Sequence, residues 1–356
     1  MRALAGILCV VALVSAGPRA QAPQGPGAAP LKWYKGNTHT HTLNSDGDST
    51  PEDVVRWYRE QRYHFLFITD HNVVTAVDGL NAVHAMPERF LLIRGEEVTG
   101  QAAGQPVHLN LLGGAGVVAP QGGATVAEAL RRNVAAMSAT GGVISINHPN
   151  FGWAMTAADL SAGRGAHLLE IFNGHPMVNN DGGGGLPAAE ALWDSLLGAG
   201  VRVFGAASDD MHHLKQPWSA SAARPGQGWV VVRAPALTAD AVLAALASGD
   251  FYASTGVELS DIRATPERLT VTIKTQDYAK YTIHFIGQGG RVLKEATTSP
   301  ATYDIAGHEG YVRARVLDSN GRRAWTQPVF VAPRARPQTA SANAIGVFLR
   351  CTGQDD

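Results

Sequence analysis

Cysteine is nearly absent from this chain, with two residues in 356. Cys9 lies inside an apolar N-terminal stretch, so removal of that stretch would leave Cys351 alone and no intrachain disulfide. A thiolate-based structural zinc site is excluded for the same reason. Charge of one sign is also missing. Lys and Arg total 29 against 30 Asp and Glu, a formal net charge of -1. There is therefore no basic surface to signal nucleic acid, and no acidic tail. Beyond the N-terminus no apolar run approaches the roughly 20 residues that a membrane helix needs.

That N-terminus reads as a secretory signal. Arg2 supplies the positive end, Ala3 to Ala16 the apolar stretch, and Ala20-Gln21-Ala22 a cleavage site of small residues. The expectation is a signal peptide over 1–22, a Pro/Gly/Ala linker over 23–32, and export to the periplasm or medium. Cys9 is misplaced for a lipoprotein, which needs cysteine at the cleavage point.

From 33 to 251, short apolar runs alternate with helical patterns, which predicts an α/β domain with a largely parallel sheet. Seven strands are expected to end near His41, His71, Glu97, Asn110, His148, Asn173 and Asp210. Thr50-Pro51-Glu52-Asp53 opens one helix, with an N-cap threonine, proline in the first turn and acids beside it. Further helices are expected over Thr125–Thr140, Pro187–Leu197 and Thr238–Ser248. Gly182–Gly185 marks a loop. After Phe251 the pattern changes to period two, in Leu269–Lys274, Tyr281–Ile286 and Tyr311–Val316. A turn signal follows at Asp318-Ser319-Asn320-Gly321. This predicts a small antiparallel, sandwich-like β-domain over 252–333. The polar, Pro/Ala-rich 334–356 is expected to be a disordered tail.

What the chain does have is histidine, 13 in all, and their placement carries the chemistry. Most strand runs end in, or carry, a side chain able to bind metal. In barrels of parallel strands such ends converge on one mouth. His39 and His41, two apart, share a strand face. Asp46 follows in a Ser-Asp-Gly loop. Phe65–Ile68 runs into Asp70-His71, with His71 favoured as a ligand and Asp70 as a support for it or for another ligand. Phe90–Arg94 leads to Glu96-Glu97; Glu97 is preferred as a bridging carboxylate, although the register leaves Glu96 open. His108 sits mid-strand, His148 ends a strand, and Asp210-x-His212 again puts two donors on one face. Six histidines and three carboxylates make a constellation whose nitrogen and oxygen donors suit Zn, Mn or Fe(II). His64, His84, His167, His284 and His308 read as ordinary surface or core histidines. Glu170 and His175 lie near the expected mouth, as supporting or substrate-facing residues.

The ordered set His39-x-His41, Ser45-Asp46-Gly47, Thr69-Asp70-His71, Gly95-x-Glu97, His108, Asn147-His148-Pro149 and Asp210-x-His212 resembles the PHP (polymerase and histidinol phosphatase) family of metal-dependent phosphoesterases. The resemblance covers roughly 33–251. It implies a distorted (β/α)7 barrel and two or three divalent metal ions. One position would use His39, His41, Glu97 and Asp210; a second Glu97, His108 and His148; a third Asp46, His71 and His212. Some relatives carry histidine where this chain has Asp46. The Gly249–Gly256 stretch, the Ala324–Pro328 stretch and the run Asp209–His213 are similar to the CehA/McbA-type metallohydrolases, a branch named for carbamate hydrolysis. Hydrolysis by metal-activated water is thus the expected activity, with Glu97, Asp210 and His212 at its centre and a small molecule as substrate. A phosphoesterase is the first reading. A carboxylic ester, amide or carbamate hydrolase and a non-catalytic metal-containing binding module are the rivals.

Overall fold

The structure, a computed structural model, describes residues 30–216 and 218–332. The expected signal segment, most of the linker and the expected tail lie outside the described residues.

Seven strands form the half that carries the histidines. They are β1 (Lys32–Asn37), β2 (Phe65–Ile68), β3 (Leu91–Ala102), β4 (Gln105–Leu112), β5 (Val143–Ile146), β6 (Leu168–Asn173) and β7 (Phe204–Ser208). They lie side by side in chain order. β1, β2 and β3 run parallel, as do β5, β6 and β7, while β4 runs against both neighbours. The reversal of β4 corrects the expected run of parallel strands. Its cause is local: Ala103 and Gly104 both have positive φ, 50° and 75°, the geometry of a two-residue hairpin turn. The hydrogen-bonded path ends on β7, and an isolated parallel bridge between Thr40 and Met211 joins the segments that follow β1 and β7.

Six helices flank these strands among the described residues: α1 (Pro51–Glu60), α2 (Asp78–His84), α3 (Val126–Ser138), α4 (Ala157–Ser161), α5 (Ala189–Gly198) and α6 (Ala239–Ser248). Thr50, read in the sequence as an N-cap, accepts a hydrogen bond from the backbone N–H of Asp53, and Gly249 closes α6 in the left-handed region; Thr125 and Thr238, the first residues of two expected helices, accept in the same way from Glu128 and Ala241. The short α2 and α4 were not expected. Among the described residues, no helix is long and apolar enough to cross a membrane. The apolar strand runs are fully buried; Phe65, Leu66, Phe67 and Ile68 are each 0% exposed. Each contributes about 1.5–3 kcal/mol by leaving water.

Two antiparallel strands, β8 (Trp229–Ala234) and β9 (Phe251–Ser254), extend the sheet beyond β1. The expected domain boundary at 251/252 falls inside β9, and the linker expected to reach residue 32 ends where β1 begins. The C-terminal strands are β10 (Leu259–Thr265), β11 (Arg268–Ile273), β12 (Tyr281–Gly287), β13 (Arg291–Ala296), β14 (Ala301–Asp304), β15 (Tyr311–Asp318), β16 (Arg323–Thr326) and β17 (Val329–Phe330). β16 pairs with β9, so most of these strands continue the large sheet. β10, β11 and β14 form a separate three-stranded sheet. Its Leu269, Val271 and Ile273 share an apolar cluster with Ile283, Phe285, Val312 and Val316 of the large one.

A buried charge network also ties the two regions together. Arg313 on β15 is 0% exposed and bonds both oxygens of Asp194 on α5, at 2.8 and 2.6 Å, with Glu190 at 2.7 Å. Tyr311 donates to Asp194 as well.

Candidate metal centre

The strands stop short of most of the residues they were expected to end on. β1 ends at Asn37, before His39; β2 ends at Ile68, before His71; β5 and β7 end two residues before His148 and Asp210. Glu97 lies in the middle of β3, which runs on to pair with β4. The ligand candidates on β1, β2, β5 and β7 therefore sit on the loops at the C-terminal strand ends, and β3 and β4 bring Glu97 and His108 to the same place.

All nine expected ligands come together. His41, Asp46, His71 and His212 offer donor atoms within 4.8 Å of one another. So do His39, His41 and Asp210; His39, Glu97 and His148; and His71, Glu97 and His108. Asp210 Oδ1 is 3.2 Å from His39 Nε2 and 3.1 Å from His41 Nε2. Glu97 Oε1 lies 3.4, 3.2 and 3.3 Å from His39, His108 and His148, and Oε2 lies 2.8 Å from His71. Asp46 bridges His71 and His212, at 3.4 and 3.3 Å. The partition differs in detail from the expected one. His148 pairs with His39 across Glu97, and His71 reaches both Glu97 and Asp46. Glu96 points away, accepting a hydrogen bond from Val118 N, so Glu97 is the carboxylate that faces the cluster.

Three of the imidazoles are oriented by their other nitrogen, as metal ligands require. His39 Nδ1 donates to Glu170 at 2.8 Å, which leaves Nε2 facing Asp210 and Glu97. His212 Nδ1 donates to the Asp210 carbonyl at 2.8 Å. His41 Nδ1 lies 3.3 Å from Ser45 Oγ, which itself donates to Asp70. Asp70 thus supports His41 and the 42–45 loop, a ligand other than its neighbour His71. It also accepts from Thr42 N, Thr42 Oγ1 and Thr75. Glu170 further accepts from His148 N, Asn173 and Ser208. His175 stands at the rim, its ring 5.5 Å from that of His212, with no direct bond to a carboxylate of the cluster.

Reading the sequence missed the amides. Asn147 donates to Glu97 and to Asn110, Asn173 donates to Asp210, and Asn37 accepts from His39 N. Asn37 and Asn147 stand at strand ends one or two residues before a ligand, the one local signal that marks them, and Asn173 ends β6. The histidines expected to be ordinary are elsewhere. His64 and His167 accept backbone N–H groups of Lys35 and Ile144, and His284 meets Glu295 and Arg315.

The electrostatics are those of a site built for positive charge. Burial opposes protonation of His39, but Asp210, Glu170 and Glu97 outweigh it and hold its pKa well above the usual value. Burial likewise opposes protonation of His71, yet Asp46 and Glu97 raise its pKa to about 10. His41, for which burial wins, is lowered to about 4. Glu97 and Asp210 are held well below the carboxylate range by the histidines, against the effect of burial. His39 Nε2, His41 Nε2, His108 Nδ1 and Glu97 Oε2 are buried without a hydrogen-bond partner. An unmade bond of this kind costs about 1–3 kcal/mol each, and four in one cavity are explained by cations that would take their lone pairs. His148 and Asp210 also hold positive φ, 23° and 49°, backbone strain of the sort that gathers at functional sites.

No family profile and no curated protein matches the chain. Solved structures do. The chain is similar to a PHP-like protein. That structure is a two-domain protein from Bacteroides vulgatus containing a predicted PHP-like metal-dependent phosphoesterase. It is 16% identical, the match covers 89% of this chain and 97% of that one, and the TM-score is 0.47. An amidohydrolase from Chromobacterium violaceum, with bound sulfate and no metal, is 15% identical over 51% of this chain and 88% of its own, with a TM-score of 0.37.

Proposed function

We propose that the chain is a metal-dependent hydrolase with a centre of two or three divalent ions, Zn, Mn or Fe, acting as a phosphoesterase on a small molecule. The observation that carries this is the convergence of unpartnered, buried nitrogen and oxygen atoms of His39, His41, His108 and Glu97 in one cavity. His39, His41, His148, Glu97 and Asp210 would hold one pair of positions, and Asp46, His71, His108 and His212 complete the set. Divalent cations there would supply Lewis acidity, lowering the pKa of a water toward neutrality and balancing charge on the substrate.

The chain's own residues do the rest. Glu97 sits among five histidines and sets the spacing of the donors. Glu170 and Asn173 fix His39 and Asp210, so that no reorganisation is needed during reaction. In a centre of two ions that leaves His212 unligated, its Nε2, turned to Asp46 and 12% exposed at the rim, is placed to pass a proton to a leaving oxygen; with a third ion it would be a ligand instead. Three divalent cations would leave the centre net positive even with Glu170 and a bound hydroxide counted beside the three ligand carboxylates, which favours an anionic phosphoryl group.

A second reading is supported by one feature. Among the described residues every ion pair within the cluster is histidine to carboxylate, and no Lys or Arg joins it. A carboxylic ester, amide or carbamate needs no such cation. A panel of p-nitrophenyl phosphate, phosphodiester, acetate and carbamate substrates, with added Mn or Zn, separates the two readings. Turnover of the phosphoesters supports the first, and turnover of acetate or carbamate alone replaces it with the second. Metal-loaded protein that turns over none of them rejects both. Export through the N-terminal segment belongs to the same proposal, and N-terminal sequencing of protein recovered from the periplasm or medium tests it.

A further inference from the structure

Asp209 directly precedes Asp210, yet its side chain makes no hydrogen bond to the cluster. It is 0% exposed and accepts four hydrogen bonds: from Tyr58 Oη at 2.7 Å and from the backbone N–H groups of Gly226, Gln227 and Gly228 at 2.9, 2.6 and 2.9 Å. Three successive amides make an anion-holding nest, here filled by the chain's own carboxylate. The nest continues toward the metal site. Gly228 O accepts from Asn37 Nδ2 at 3.1 Å, and Asn37 Oδ1 accepts from His39 N at 2.9 Å. Asp210 N donates to His39 O at 3.1 Å, which ties the two ligand-bearing segments to each other. Asp210 itself is held at φ 49°. From the third side Gly174 is so close that an added Cβ would lie 2.7 Å from Asp209 O.

We propose that Asp209 is a positioning residue for the metal centre: seated in the 226–228 nest, it fixes the backbone of Asp210 and, through Gly228 and Asn37, that of His39. This rests on the metal-centre reading above. A carboxylate is the right group because all four of its partners are donors. Asparagine would turn an N–H₂ toward at least one of them.

The test is a competition titration with a chelating dye, using Zn(II) and Mn(II) separately on metal-stripped full-length protein. The thermal midpoint of each metal-free protein is measured beside it. Asp209→Asn is expected to fold and to bind metal 10–100-fold more weakly, the range for residues that orient ligands. Tyr58→Phe, which removes one of the four bonds, is expected to weaken binding in the same direction by less. Asp194→Asn, at the α5–β15 junction, serves as control: its midpoint falls and its metal affinity stays. If Asp209→Asn behaves like Asp194→Asn, the role is structural only and the inference fails. If Asp209→Asn does not fold, unchanged affinity in Tyr58→Phe has the same force. Native protein that takes up no metal would overturn the metal-centre reading and this inference with it.

Discussion

Replacing Arg313 by methionine removes the one cation shared by two buried carboxylates while keeping most of the side-chain volume. Arg313 is fully buried and bonds Asp194 twice and Glu190 once, with its guanidinium 4.8 Å from the Trp193 ring. Arg315 stays near Glu190 at 3.2 Å but is itself part-exposed, and Tyr311 still donates to Asp194. Breaking a buried pair by deleting one partner costs about 3–5 kcal/mol, because the other charge is left uncompensated. The loss should depend on pH, and the sign follows from Glu190. Burial pushes its pKa up, but Arg313 and Arg315 outweigh that and hold it below the usual carboxylate value. Its stabilising contribution is therefore present above the unfolded-state pKa and is lost as pH falls through the folded one. Without Arg313, burial dominates, and protonation at low pH relieves the variant. Urea unfolding of metal-stripped native and variant proteins should thus show the full deficit at pH 7.5 and a smaller one at pH 4.5. A deficit under about 1 kcal/mol at pH 7.5, the scale of an exposed pair, would refute the reasoning, as would a deficit that does not change with pH.

Other outcomes follow from the site. Metal uptake should release protons, because the metal-free cluster holds His39 well above its usual pKa and His71 at about 10. Calorimetry at pH 7 in buffers of different ionisation enthalpy should report that release, and affinity should rise with pH; buffer-independent heats would contradict it. Gly174→Ala would force a Cβ to within 2.7 Å of Asp209 O and of Gln227 Cβ. It should cost about 1–3 kcal/mol by overpacking, read as a lowered thermal midpoint, and should weaken metal binding as well. Glu170→Gln leaves the volume unchanged but turns an N–H₂ toward two donors, either those of His39 and Ser208 on one oxygen or those of His148 and Asn173 on the other. Metal affinity should fall 10–100-fold, and an unchanged titration would show that His39 needs no such support.

Much of this was legible in the chain because it is locally encoded. A threonine three residues before its N–H partner caps a helix wherever that helix packs, so the cap at Thr50 and the helix starts at Thr125 and Thr238 were readable. Four-residue apolar runs such as Phe65–Ile68 and Val143–Ile146 could only be buried strands, and polar residues just past them had to gather at one end. The rest depends on distant partners. The reversal of β4 hinges on two residues, Ala103 and Gly104, that carry a weak turn signal. The junction of β9 with β16 joins residues about seventy apart, so the period-two pattern marked the strands and not their place in the large sheet. Asp70 was readable as a support for some ligand but not for which one, because its partners, Thr42 and Ser45, come from the loop after β1. The second layer of asparagines was invisible for the same reason: Asn147 meets Glu97 from 50 residues away.

Metal content per chain decides the matter most directly, measured on native protein and on Glu97→Gln after loading with Zn or Mn and removal of excess. Glu97 touches five histidines of the cluster, so the account predicts two or three equivalents in the native chain and a loss of at least one in the variant. Native protein that holds no metal after loading, or a variant that holds as much as the native chain, would contradict it.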